Sequence, residues 1–314
     1  MKSEDGTGSR HALVVLKEMW EGHPTCFIQA VGRRFRSPAL FLFLFMIKYR
    51  LNTIIGVKDG RERGQNMDYG TILEKRDRLK ALRSSIPEYT LLTFENAFEI
   101  EYTHNSTAIE GNTLTLMETK VLLEDGISIG GKHMREIYEV VNHQNAYRYV
   151  KECIEKKMPL DEKIVNDIHA MLMEHIFTGG IYRNIEVYIS GAQHMPPPPN
   201  EMDRQVKNFY ADLAWKKDQL NLIELAAWTH AEFVRIHPFP DGNGRTFRLI
   251  MNYQLLSNDF PAVSIRKEDR LAYFDALEQY AVNGDLTMFA NLVAALVETR
   301  LDRYLSMTAA SESP

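Results

Sequence analysis

The residues that could do chemistry lie in one run of the chain: His237-Pro238-Phe239-Pro240-Asp241-Gly242-Asn243-Gly244-Arg245-Thr246-Phe247-Arg248. An imidazole such as His237 can be neutral near pH 7 and accept a proton from a hydroxyl. Asp241 is the kind of carboxylate Mg²⁺ uses in phosphate sites, where ligand oxygens complete the shell. The N–H groups of Gly242, Asn243 and Gly244 can converge into an anion-binding nest, and a helix starting there would add the positive end of its dipole. Arg245 and Arg248 are three apart and share a helix side. Taken singly, each group has a plain structural reading: a packed histidine, an Asp-Gly turn, arginines on a solvated face. Together they point to a nucleoside triphosphate, a metal and a base, and so to transfer of part of a nucleotide onto a hydroxyl.

Such a run needs rigid elements on both sides. Upstream, Leu222, Leu225, Ala226, Thr229, Phe233 and Ile236 follow the three-to-four spacing of a helix face; downstream, Phe247, Ile250, Met251, Gln254 and Leu255 do the same. Gly-Asn-Gly is poor helix material and Pro238 and Pro240 break helices, so the run is expected to be a tight loop between two core helices. Before it, Ile86-Pro87 marks a break, and a helix is predicted over 92–110 and ended by Gly111-Asn112. Thr115 with Glu118 reads as a capping box, and 132–156 as a longer amphipathic helix. Asp161 caps a helix carrying Ile164, Ile168, Leu172 and Ile176, with Gly179-Gly180 as its stop. Ile185, Val187 and Ile189 alternate like a strand, Ser190-Gly191-Ala192-Gln193 reads as its turn, and the stiff Pro196–Pro199 follows. The predicted fold is mostly α-helical with one small β-hairpin.

The run matches at every fixed position the signature of the Fic (fido) family, His-x-Phe-x-Asp/Glu-Gly-Asn-Gly-Arg-x-x-Arg, and the chain resembles that family from about Phe94 to about Leu301. The resemblance implies a protein adenylyltransferase, which moves AMP from ATP, with Mg²⁺ or Mn²⁺, onto a Ser, Thr or Tyr hydroxyl of a target protein. It implies His237 as general base, Asp241 as metal ligand, and Gly242 to Gly244 as the nest. It assigns Arg245 to the inner phosphates and Arg248 to the γ-phosphate, with Thr246 and Phe247 in the same nucleotide-binding stretch. The hairpin at Ser190 to Gln193 would be the flap over the nucleotide. Tyr273 and Phe274 match aromatic positions near the adenine, with core packing as the equal alternative. Ser106-Thr107-Ala108-Ile109-Glu110-Gly111 resembles the family's inhibitory motif, in the class that carries it N-terminal to the catalytic core. Ser106 and Glu110 share a helix face at i, i+4, and the resemblance pairs Glu110 with Arg248. A carboxylate held there would compete for the forked donors that the γ-phosphate needs. Two other classes stay open: a Fic-type enzyme that uses another nucleotide donor or removes AMP, and a nucleotide-sensing binding protein with little turnover.

Composition excludes some classes. A net charge of −5 gives no sign of a nucleic-acid surface. Two cysteines, Cys26 and Cys153, in no ligand pattern argue against a disulfide scaffold and fit a reducing, cytoplasmic setting. There is no His-Glu-x-x-His and no Walker-type loop. A homo-oligomer is compatible with the sequence, and no membrane partner is expected. Residues 1–66 differ from the rest: they carry 11 Lys+Arg and 6 Asp+Glu, and the apolar run Ala39–Ile47 is too short to span a bilayer. They are expected to lie outside the functional fold. Purine-rich codons for Arg61-Glu62-Arg63-Gly64 ahead of Met67 are compatible with a start assigned too far upstream; a basic tail that touches a membrane is the alternative. The expected organisation is therefore an extension (1–66), a helical region with the inhibitory helix (67–158), a catalytic core (159–301) and a tail (302–314).

Overall fold

Helices form where the apolar spacing predicts them, and flanking residues set their ends. The computed structural model describes residues 68–311, so the expectation for 1–66 falls outside the described residues. Among the described residues there are ten α-helices and no strand: α1 (Tyr69–Leu82), α2 (Glu88–Ile109), α3 (Leu116–Asp125), α4 (Met134–Glu155), α5 (Glu162–Leu172), α6 (Met202–Lys216), α7 (Leu222–Ile236), α8 (Asn243–Leu256), α9 (Arg270–Asn283) and α10 (Thr287–Ser311). None of them is long and apolar enough to cross a membrane. Pro87 stands at the head of α2, and Gly111 follows its end with φ 104°. Thr115 and Glu118 form a complete capping box on α3, and the Asp161 carboxylate accepts the Ile164 N–H at 2.8 Å to start α5.

The centre is the α7–α8 hairpin. Both faces of α8 are covered, by α4 and α5 on one side and α7 on the other, while α7 also meets α6, α9 and α10. Every residue from Arg245 to Leu255 is buried, so α8 is packed all round. One core cluster joins Phe98, Tyr147, Ile168, Phe209, Phe233, Phe247 and Ile250; a second joins Ile72, Ile109, Met251, Phe289 and Val297. At about 2–3 kcal/mol for each large side chain withdrawn from water, these clusters hold the hairpin rigid. Arg245 and Arg248 are the two charges in this buried helix, and buried charges persist only with partners.

Three sequence expectations are corrected. First, helix α5 ends at Leu172, not at Gly179-Gly180. His175 already sits in the left-handed region (φ 60°), and the glycines serve instead as a close contact: a Cβ on Gly179 would lie 2.6 Å from Ala170 Cα. Second, helix α8 starts inside the Gly-Asn-Gly run, at Asn243. Third, the β-hairpin is absent. Its turn forms, with Gly191 at φ 82° and the Ala192 N–H on the Ile189 carbonyl at 3.2 Å. The limbs do not pair. Pro196 to Pro199 offer no N–H, and the N–H groups of Gln193 and His194 both donate to Glu278 Oε1, at 2.5 and 3.0 Å. Alternation alone was misleading, because the limb buries no face: Ile185 is 56% and Tyr188 73% exposed.

Candidate active site

The loop that carries the signature run begins where α7 ends. His237 closes α7 in the left-handed region (φ 51°, ψ 57°), and its N–H donates to the Phe233 carbonyl at 2.8 Å. Such a conformation is costly for a residue with a Cβ and persists where surroundings enforce it. Arg183 does the enforcing. Buried to 3% exposure, it donates through Nε to the His237 carbonyl at 2.8 Å, through Nη1 to Ile185 at 2.9 Å and through Nη2 to Pro197 at 2.5 Å. Its own N–H donates to the Pro238 carbonyl at 2.8 Å. One guanidinium thus ties the 183–197 segment to the loop. We expect Arg183→Met to cost about 3 kcal/mol through lost charge-assisted bonds and orphaned carbonyls, lowering Tm by about 6–12 °C in calorimetry.

His169 and Asn243 fix the rest of the loop. The Gly180 N–H donates to His169 Nδ1 at 2.8 Å, so Nε2 carries the proton and donates to the Asp241 carbonyl at 2.9 Å. The same ring stacks on Phe239 with centroids 3.7 Å apart. The Asn243 side chain accepts the Phe239 N–H at 2.9 Å and donates to the Phe239 carbonyl at 2.7 Å. Gly242 takes φ 75°, and a Cβ there would lie 2.6 Å from Met173 Cε.

The head of α8 meets the Glu110 carboxylate. Gly242 has no side chain to cap the first-turn N–H groups. A Cβ on Gly244 would sit 2.2 Å from Glu110 Oε1, so the missing side chain is what admits this carboxylate. Glu110 Oε1 lies 2.9 Å from Arg248 Nη1. Arg248 also donates to Ser106 twice, from Nε to Oγ at 3.0 Å and from Nη2 to the carbonyl at 2.6 Å. Its Nη1 reaches the Tyr273 hydroxyl at 3.4 Å, which in turn meets His230 Nε2 at 2.9 Å. Burial works against the Arg248 charge, but Glu110 and Tyr273 outweigh it and raise its pKa. His230 is fully buried and packs beside Phe247 and Phe289, a structural histidine.

The cation side is equally occupied. Asp241 Oδ1 accepts the Gly242 N–H at 2.5 Å and lies 3.3 Å from Arg245 Nη2, while Oδ2 accepts from Arg135 Nη2. Glu139 holds both arginines: Oε1 accepts from Arg135 Nε at 3.2 Å and lies 3.3 Å from Arg245 Nη1. Glu139 Oε2 accepts from Asn112 Nδ2 at 3.0 Å, which links this cluster to the segment just after Glu110. Burial alone would raise the Asp241 pKa, but Arg245, the Gly242 N–H and Arg135 together lower it. Among the described residues no three His, Cys, Asp or Glu side chains gather as a metal cluster.

His237 is the histidine of this loop, and it is largely withdrawn from water. Burial, with the Arg183 charge adding to it, lowers its pKa to about 4 against the opposing Val234 carbonyl and Glu110. The sequence-selected residues therefore divide. His237, Asp241 to Arg248, Ser106, Glu110 and Gly111 assemble in one place, with Thr246 Oγ1 on the Gly242 carbonyl (2.9 Å) and Phe247 in the core. Tyr273 is buried behind Arg248, while Phe274 is half-exposed with Arg270 5.0 Å from its ring. Ser190 and Gly191 lie on an exposed turn. Sequence reasoning missed Arg135, Glu139, His169, Arg183 and Glu278. Only the Arg135/Glu139 pair left a trace, an i, i+4 spacing indistinguishable from a solvated helix face.

Residues 159–255 match the Fic/DOC family. Protein adenylyltransferase Fic of Nematostella vectensis is 38% identical over 242 residues, 75% of this chain and 55% of the relative. The protein of the same name from Drosophila grimshawi is 33% identical over 75% of this chain and 48% of its own length. The chain thus spans about half the length of these curated relatives. Among solved structures, a Fic domain containing signaling protein from Bacteroides thetaiotaomicron superimposes with a TM-score of 0.70 at 25% identity, covering 77% of this chain and 99% of that one. Fic-1 of C. elegans (aa134–508) gives 0.66 at 27% identity, over 91% and 82% of the two chains. With the signature loop, its helices and these relatives in agreement, this chain carries a domain of the Fic/DOC family.

Proposed function

We propose that the protein transfers AMP from ATP to a hydroxyl of a Ser, Thr or Tyr on a target protein, and that Glu110 holds this activity in check. One observation carries the reading: an internal carboxylate, Glu110, sits against Gly244 and on Arg248, where the loop is built to receive a phosphate. In the reaction His237, neutral and buried, takes the proton of the attacking hydroxyl. The first-turn N–H groups of Gly242 to Gly244 and the Arg245 guanidinium meet the charge that develops on the α-phosphate as pyrophosphate leaves. Arg248 positions the γ-phosphate once Glu110 has left it, and Ser106 and Tyr273 orient Arg248. Phe274 is the exposed ring an adenine can meet; Tyr273 acts through Arg248.

The donor set fits a hard divalent cation completed by nucleotide oxygens, since Asp241 Oδ2 takes no bond from its own loop and meets only the exposed Arg135 side chain. A bound Mg²⁺ would neutralise phosphate charge there. Residues 67–158 form the part that carries the brake and 159–301 the catalytic core, and a free, buried Cys153 suits a cytoplasmic setting. AMP removal is the second reading, favoured by the Glu110 carboxylate standing against Gly244 and Arg248 in the run that also carries His237. Labelled ATP given to wild type and Glu110→Gly, and read as label on protein, tests the main reading. Label from neither, with ATP bound, would overturn it.

The histidines set an acid limit. His169 and His237 are lowered to about 4 and His230 to about 3, in each case chiefly by burial. All three are neutral in the folded protein where an ordinary histidine near 6.5 is already charged. Between about pH 6.5 and 4 the unfolded chain therefore binds more protons, and stability falls as pH falls. We expect Tm to decline through this window in calorimetry, and transfer by Glu110→Gly to stay flat from pH 8 down to about 5.5. Half-loss of activity near 6.5 would contradict the lowered His237.

A further inference from the structure

We infer that Arg135 is a built-in counter-cation of the metal-ligand carboxylate, so that a divalent ion binds Asp241 in competition with it and Arg135 thereby sets the cation dependence of nucleotide binding. This rests on the reading of Asp241 as metal ligand. Asp241 has two oxygens and one is already committed: Oδ1 takes the Gly242 N–H at 2.5 Å and faces Arg245 Nη2 at 3.3 Å, both from within its own loop and helix. Only Oδ2 can serve an outside cation, and it accepts from Arg135 Nη2, contributed by a helix 106 residues away in sequence. A guanidinium and a divalent ion drawn to one carboxylate oxygen repel each other, so the ion binds there in competition with Arg135.

The neighbours make departure cheap. The Arg135 side chain is 56% exposed, so it can swing into water without stranding a buried charge. Its Nε already holds Glu139 Oε1 at 3.2 Å, a partner it keeps after leaving Asp241. Glu139 also lies 3.3 Å from Arg245 Nη1, so the phosphate-facing arginine does not depend on Arg135. The resting site therefore carries the chain's own charges at both poles, with Glu110 on Arg248 and Arg135 on Asp241. The poles are connected: Asn112, two residues after Glu110, donates to Glu139 Oε2 at 3.0 Å and to the Glu136 carbonyl at 2.9 Å, one residue from Arg135. These bonds join the segment after α2 to the first turns of α4.

The test uses ADP as probe and the full chain. Calorimetry gives the ADP Kd in EDTA and in saturating Mn²⁺, and their ratio measures the coupling between cation and nucleotide. We expect this ratio to rise about fivefold in Arg135→Ala and Arg135→Gln, the scale of an exposed ion pair, and to stay near the wild-type value in Arg135→Lys. Asp241→Ala should bring it to one in every background. An unchanged or smaller ratio in both neutral variants, together with weaker ADP binding in EDTA, would overturn the inference and make Arg135 a phosphate ligand. A wild-type ratio that survives Asp241→Ala would overturn the metal reading of Asp241 itself, a separate result. A ratio of one in wild type and all variants would overturn both.

Discussion

Glu110→Gly is expected to raise incorporation of label from ATP into protein by more than about tenfold. The pair it breaks is between a guanidinium at 1% exposure and a carboxylate at 32%, 2.9 Å apart. Truncating one partner of a buried pair usually costs several kcal/mol, because the other charge is left unpaired. On the proposed reading the orphaned Arg248 would gain a replacement, the γ-phosphate, since phosphates make bidentate charge-assisted bonds with a guanidinium. ATP thus recovers the loss, and the apo protein alone bears it. The variant should therefore melt at lower temperature than wild type without nucleotide and show the larger rise in Tm when ATP is added. Glycine fits the position in conformation, since Glu110 is the C-cap of its helix at φ −86°, ψ 0°, which glycine adopts without strain. Ser106→Ala should act in the same direction and more weakly, as it removes the Oγ contact at 3.0 Å and leaves the carbonyl contact at 2.6 Å. Equal labelling by wild type and Glu110→Gly, with ATP bound by both, would remove Glu110 as a brake.

His237 substitution has the largest expected effect in the other direction. Placed in the Glu110→Gly background, His237→Ala should lower transfer by about 10²–10⁴-fold, the usual worth of a positioned base, and change ATP affinity little. In the proposed reaction the phosphate contacts come from Gly242 to Arg248, while His237 meets the hydroxyl. A complication follows from the backbone. Alanine in the left-handed region at φ 51° costs about 1–2 kcal/mol, so lost activity could be blamed on a distorted loop. Asparagine visits that region readily and carries no basic nitrogen. His237→Asn should therefore keep the wild-type melting temperature more nearly than His237→Ala and be equally inactive. Activity retained by the asparagine variant would refute the base assignment.

Much of this protein is legible in its sequence because the information is local. The apolar spacing around Phe233 and Phe247 predicts two core helices, and the cap at Thr115 and the breaks at Pro87 and Gly111 mark ends through bonds a few residues long. The signature run from His237 to Arg248 is local too: twelve consecutive residues carry the candidate base, carboxylate, nest and arginines, so their types and spacing alone single them out. Tertiary structure decided what depends on distant partners. Ile185, Val187 and Ile189 alternate like a strand, but a strand exists only if a neighbour supplies donors and acceptors, and here Glu278 takes the N–H groups beyond the turn. Gly179 and Gly180 look like a helix stop and are in fact a close approach to α5. Arg183 and Arg135 are two among many arginines by composition. What separates them is burial beside four carbonyl-bearing residues in one case and contact with Asp241 in the other. Long-range charge pairing has no period in sequence; it is set by which helix faces meet, and that is decided by the packing of the whole core around α8.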